Sequence, residues 1–268
     1  MIHVHFLFLF ILFGMSCSEP ELVLDNELDP GNPDFIPPET SIISPVDGTE
    51  LNQHSQITVI WEGNADDMEF QYSLDDDDWS DWSSLTVTTL NYLDEGSHIF
   101  FVQGRHASGL VEEWPDTLNI SVDAIDGPSL RIEYLYTEVA QLATFTVDVV
   151  AEDVELVAAA GIVLEYNGDA LELQDVVMGD FFSLNGGDII YFDTLATSAG
   201  TTTLQLDVGT YGGEPEYVTG TGVIATLEFL AKTSGEYEIE FSDETTLRKS
   251  DNVTISTDEL VEGVVLIE

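Results

Sequence analysis

The chain has 268 residues, enough for two ordinary domains, and 44% of them are hydrophobic, which fits a folded protein rather than a disordered acid. Its 52 Asp and Glu face only five Lys and Arg, giving a net charge of −47. That balance excludes nucleic acid and anionic lipid head groups as partners, because phosphate recognition needs Lys and Arg, and it suits a saline or divalent-rich medium that screens repulsion.

Residues 4–14, VHFLFLFILFG, form an apolar run. A membrane-spanning helix needs about 20 residues, so the run reads as the central part of an export signal. Gly14 and Ser16 precede Cys17, the single cysteine of the chain. The stretch resembles a bacterial lipoprotein signal, which implies a leader of residues 1–16 and lipidation of Cys17. It departs from that family at Gly14, where leucine is usual, and in an opening MIHVH without Lys or Arg. A plain secretory leader and an uncleaved anchor stay open beside it. All three readings export the chain, and an exported chain with no other thiol avoids unwanted pairing. The expected location is extracytoplasmic, at the outer membrane or cell surface, with the membrane touched only through the lipid.

Residues 17–39 carry seven acids, five prolines and no base. Like charges and proline favour an extended tether, able to reach roughly 70 Å at about 3.3 Å per residue. The acids directly after Cys17 resemble the surface-export signals of Bacteroidetes-type lipoproteins.

Residues 40–124 alternate with period two. Ile57, Val59 and Trp61 share one phase, as do Phe70, Tyr72 and Leu74, then His98, Phe100 and Val102, then Leu118, Ile120 and Val122. Turn sequences such as PVDG, EGNADD and LDEGS separate them. About seven short strands predict a small β-sandwich. The order ITVIWEG, FQYSLDDDDWSDWSS, LDEGSHIFFVQGR resembles bacterial immunoglobulin-like and fibronectin-III-like modules, which implies a spacer or a protein-contact domain. The acids Asp75–Asp78 lack the spacing of a Ca²⁺ loop and read as a solvated turn. Trp79, Trp82 and Trp114 read as packing or cross-strand residues, and His98 as a core or near-core imidazole.

After a short linker, IDGP at 125–128, alternation strengthens over 129–268. Phe145, Val147 and Val149 oppose Thr144, Thr146 and Asp148; Leu204, Leu206 and Val208 oppose Gln205 and Asp207. Val223, Ala225, Leu227 and Phe229 oppose Ile224, Thr226 and Glu228; Tyr237, Ile239 and Phe241 oppose Glu236, Glu238 and Glu240. One wet face and one dry face per strand predicts two sheets packed face to face, with nine or ten strands in a jelly roll. The fold class is therefore all-β, two tandem sandwiches.

The segments FTVDVVAEDVELVAAAGIVLEYNGDALEL, GDFF, TGTGVIATLEFLAKTSGEYEIEF and EGVVLI resemble the cohesin domain in order and spacing across 129–268. The resemblance implies docking of a dockerin-like protein module, with Ca²⁺ entering only through that partner, in a system for polysaccharide degradation. It places the docking face on Ala159, Gly161, Val163, Gln205 and Asp207. In the commonest cohesins Asn and Asp stand where this chain has Ala159 and Gly161, so those polar contacts are missing. Glycan binding by the same sandwich, and a purely structural or adhesive role, remain as alternatives. No catalytic motif is found: His3 and His5 lie in the leader, and His54, His98 and His106 stand apart from any nucleophile pattern. The sequence predicts no enzyme, no metal site and no cofactor of its own.

Overall fold

Strands form where β-branched and aromatic residues alternate with polar ones, because such a run offers one face for burial. The computed structural model describes residues 27–52, 56–75 and 77–268. The leader, Cys17, His54 and Asp76 lie outside the described residues.

Residues 27–36 fold into linked turns rather than an extended tether. Ile36 N–H donates to the Glu27 carbonyl at 2.8 Å, and Asp29 Oδ1 accepts the Gly31 amide at 2.9 Å. The sequence DPGNPD supplies this turn chemistry, in which an Asp or Asn side chain captures a backbone amide two residues on.

The first unit comprises β1 (Thr40–Ser44), β2 (Thr49–Leu51), β3 (Ile57–Gly63), β4 (Glu69–Leu74), β5 (Val87–Leu90), β6 (Gly96–Arg105) and β7 (Asp116–Val122). They make a three-stranded sheet, β1-β3-β5, and a four-stranded sheet, β2-β7-β6-β4. Val59, Phe100, Val102, Leu118 and Ile120 fill the space between, and Trp61 packs on Phe70, Tyr72 and Phe100. After β4 the chain doubles back, with Ser80 and Ser83 bonding to the Tyr72 and Phe70 carbonyls. Two of the three tryptophans depart from the packing or cross-strand role expected of them. Trp114 is 76% exposed and Trp79 is exposed, since both fall outside the strands, while Trp82 is half-buried under the Arg105 guanidinium at 4.4 Å.

The second unit comprises β8 (Ser129–Glu133), β9 (Tyr136–Val139), β10 (Thr144–Val157), β11 (Ala159–Asn167), β12 (Leu171–Met178), β13 (Asp188–Ser198), β14 (Thr201–Tyr211), β15 (Val218–Ala231), β16 (Gly235–Phe241), β17 (Thr246–Arg248), β18 (Thr254–Ile255), β19 (Leu260–Val261) and β20 (Gly263–Ile267). One sheet runs β12-β15-β10-β8-β19; the other, here the outer sheet, runs β13-β14-β11-β16-β20-β9, with β17 beside β11 and β18 beside β17. The strands outnumber the nine or ten expected because β17, β18 and β19 are two or three residues long, too short to show a period. Between the sheets lie Val149, Ile162, Leu164, Leu204, Leu227 and Phe229. Phe229 stacks on Phe145 and meets Tyr166 edge-on at 5.1 Å, and burial pushes the Tyr166 phenol up to about 12. The expected alternation of β15 fails at Ile224, which is buried while Val223 is only half-buried. Val149 pairs with Ala225 but Val150 pairs with Val223, so a β-bulge inserts Ile224 and shifts the phase.

The units meet closely around the 125–128 linker. Asp94 Oδ1 accepts the Leu135 amide at 2.7 Å, Glu95 accepts the amides of Ala124 and Ile125, and Tyr92 stacks on Tyr136 at 5.1 Å. A Cβ on Gly127 would stand 2.4 Å from the Glu152 carbonyl oxygen and 2.4 Å from Asp153 Cβ. His98 lies behind this junction, half-buried, its Nδ1 at 2.7 Å from Asp75 Oδ2 and its Nε2 at 2.8 Å from the Asp94 carbonyl. Both neighbours are acceptors, so the doubly protonated ring satisfies both.

Two outcomes follow from this packing. Phe229→Ala should cost about 3–5 kcal/mol, read from chemical denaturation of the full chain, because nothing nearby can refill the space. His98 is disfavoured as a cation by burial, but Asp75 and Asp94 outweigh this and raise its pKa above the ordinary 6.5. A raised folded-state pKa stabilises below the unfolded value and is lost as pH rises through the folded one. The thermal midpoint of wild type should therefore fall more than that of His98→Gln between about pH 6 and 8; equal slopes would remove His98 from the account.

Candidate functional site

The outer sheet turns alternate side chains to solvent, and strand register sorts them into cross-strand rows. Ile190, Gly209, Ala159 and Arg248 form one row; Phe192, Asp207, Gly161 and Thr246 the next; Thr194, Gln205 and Val163 a third. The first two rows enclose a groove of about 480 Å³. Its floor is Ala159, Gly161 and Gly209. Ile190, Phe192 and Tyr211 line one side, and Glu244, Thr246 and Arg248 the other.

All five residues that the sequence places on a docking face line this groove. Ala159 and Gly161 supply its floor. Gln205 and Asp207 stand together, with Gln205 Nε2 donating to Asp207 Oδ2 at 2.9 Å. Val163 is mostly covered: its amide donates to Thr245 Oγ1 at 3.1 Å and its carbonyl accepts the Ser242 amide at 2.8 Å. The polar side chains missing at 159 and 161 are replaced from the flanking strands. A Cβ on Gly161 would lie 3.2 Å from Asp207 Oδ1 and 3.4 Å from Thr246 Oγ1, so two polar atoms converge over the glycine.

Ile190, Phe192, Tyr211 and Arg248 also build the groove; Tyr211 continues the outward phase of Gln205 and Asp207 on β14, whereas the alternation of single strands does not reveal the other three. Phe192 is 71% and Tyr211 66% exposed. They reach the face because β13 folds back on β14 as a hairpin, which sets Ile190 and Phe192 beside the outward row of β14, and because β17, distant in the chain, lies along β11. Two signals were available: DIIYF in β13 is apolar in both phases, and Arg248 is one of only five bases.

The rest of this face is acidic. β16 turns Glu236, Glu238 and Glu240 outward, with Glu165 opposite Glu240. A hydrogen bond with the Glu238 carboxyl pushes the Glu240 carboxyl up, helped by partial burial and by the charges of Glu238, Glu262 and Glu165. Among the described residues no group of three or more His, Cys, Asp or Glu is arranged to hold a metal ion, and no helix is long and apolar enough to cross a membrane. His106 is buried with neither ring nitrogen bonded, and burial lowers its pKa, so it stays neutral in the core of its turn.

The family model described as the cohesin domain matches residues 137–267. No curated protein matches the chain. Among solved structures, the chain is similar to a non-cellulosomal cohesin of the archaeon Archaeoglobus fulgidus, at 14% identity and TM-score 0.41, over 52% of this chain and 88% of that one. It is similar to the sixth cohesin of Acetivibrio cellulolyticus scaffoldin B, solved with a Cel5 dockerin mutant, at 20% identity and TM-score 0.44, over 53% of this chain and 100% of that one. It is also similar to the OlpC cohesin of a Clostridium thermocellum type I cohesin–dockerin complex, at 17% identity and TM-score 0.42, over 55% and 97%. The cohesin-domain model thus covers residues 137–267 of this chain, the greater part of its second sandwich.

Proposed function

We propose that the protein is a non-catalytic cell-surface lipoprotein that holds secreted proteins at the cell through its cohesin domain. In this reading Cys17 carries the lipid, the acidic segment 17–39 leads away from the membrane, and 40–124 is an immunoglobulin-like spacer. The groove on the outer sheet takes a dockerin-like module, whose own loops bring any Ca²⁺, and the proteins so held act on polysaccharide. The observation that carries the reading is the groove itself, solvent-open on a cohesin sheet, with an apolar wall and a polar centre over Gly161.

The physical logic is that of a small hot spot. Phe192 and Tyr211 offer rigid aromatic surface at low entropic cost, and exclusion of water there strengthens hydrogen bonds to Asp207 and Thr246. A flat, wholly polar sheet would offer neither.

A second reading, direct glycan binding, draws on the same two aromatics, since Phe192 and Tyr211 share the outward face and sugar rings stack on such surfaces.

The test uses the full chain immobilised against the secreted proteins of its source. Capture of module-bearing proteins should be lost on Ca²⁺ chelation and on Gly161→Trp, which fills the groove, and Phe192→Ala should weaken it by about 1–3 kcal/mol. Retention of the chain by a soluble polysaccharide in affinity gels, lost on Phe192→Ala, with no protein partner captured, would replace docking by the glycan reading.

A further inference from the structure

Five bases serve 52 acids, and the structure shows how they are used. Arg105 pairs with Glu69 at 2.5 Å, Arg131 with Glu133 and with Glu152 (3.0 Å), and Lys232 with Glu172 at 3.4 Å. Arg248 and Lys249 have no carboxylate partner among the described residues. Arg248 makes only long contacts, 3.4–3.5 Å, to the Asn252 carbonyl, Asn252 Oδ1 and Thr254 Oγ1, beyond the range of good hydrogen bonds. Its fork of donors is therefore open, and it stands in the wall of the groove in register with Ala159.

Arg105 and Arg131 are both tied to carboxylates, so Arg248 is the one arginine among the described residues whose fork is left to face a groove. We infer that Arg248 is the anion-reading point of the groove, and that the partner segment filling it is a polypeptide carrying a carboxylate beside an aliphatic or aromatic side chain. The apolar side chain enters between Phe192 and the floor at Gly161; the carboxylate meets Arg248 as a two-pronged pair. Around that point the partner is neutral or basic, because Glu165, Glu238, Glu240 and Glu244 share the face or its rim. A polyanion such as a sulfated glycan is disfavoured. It would place repeated negative charge along an acidic face, whereas one carboxylate a few ångströms from Arg248 lies well inside the screening length of about 8–10 Å. Specificity then comes from both signs at once, attraction at Arg248 and repulsion of acids elsewhere.

This inference rests on the docking reading, and the test separates the two. A displayed library of dockerin modules, randomised at exposed helix positions, is sorted against the full chain as wild type, Arg248→Glu, Arg248→Lys and Gly161→Trp, each checked for an unchanged unfolding midpoint. Wild type should enrich Asp or Glu next to Leu, Ile or Phe, and Arg248→Glu should enrich Lys or Arg at that same position. Clones selected on wild type should lose more than about tenfold in affinity for Arg248→Glu and retain most of it for Arg248→Lys. Clones that bind Gly161→Trp as well as wild type would overturn the docking face itself. Clones lost on Gly161→Trp but indifferent to Arg248→Glu would overturn only the inference drawn from Arg248. Dextran sulfate bound through Arg248, with no acidic enrichment in the library, would overturn it in favour of a polyanion.

Discussion

Strands β10 and β15 run antiparallel through the middle of one sheet, and the row of side chains they turn inward governs the second unit. Val147, Val149, Ala225, Leu227 and Phe229 face Ile162, Leu164, Tyr166, Leu204 and Leu206 of the opposing sheet. A chain with this much like charge resists compaction, and non-directional burial is what overcomes that resistance. The same burial sets the outward phase of β11 and β14. With Ile162 and Leu206 held inside, Gly161, Val163, Gln205 and Asp207 must point away from the core. Slipping either strand by one residue would exchange the groove for a row of aliphatics. The site is thus a by-product of core packing, and its geometry is as firm as that packing.

Electrostatics adds a second layer. Arg131 is buried, and burial disfavours its charge, yet Glu133 and Glu152 raise its pKa by bonding to it on β8 and β10. Arg105 lays its guanidinium over Trp82 while pairing with Glu69, so one group serves both a ring and a carboxylate. These cations are structural.

Much of this architecture was legible in the primary structure. Period-two alternation located β3, β4, β6, β7, β10, β14, β15 and β16 but not β11, β12 or β13, and the phase of Leu204 to Val208 identified Gln205 and Asp207 as outward. The failures have physical causes. At Ile224 a bulge inserts one residue, an event that depends on the partner strand and leaves no local mark. Trp114 was expected to pack or to make a cross-strand contact, but it precedes Pro115 in the connection before β7 and is exposed. The groove was half legible: its floor lies on the neighbouring strands β11 and β14, whereas Phe192 sits in a run apolar in both phases and Arg248 comes from a distant segment that only sheet closure brings alongside. Arg248 could have been suspected from scarcity alone.

The junction near Gly127 has a mechanical corollary. With the Leu135 amide held by Asp94, Tyr92 laid flat on Tyr136, and no room for even a methyl group at Gly127, the elbow between the sandwiches cannot swivel cheaply. Cargo seated on the far sheet would keep a constant bearing to the first sandwich, and a sideways drag on it would travel through the elbow as torque instead of being absorbed there.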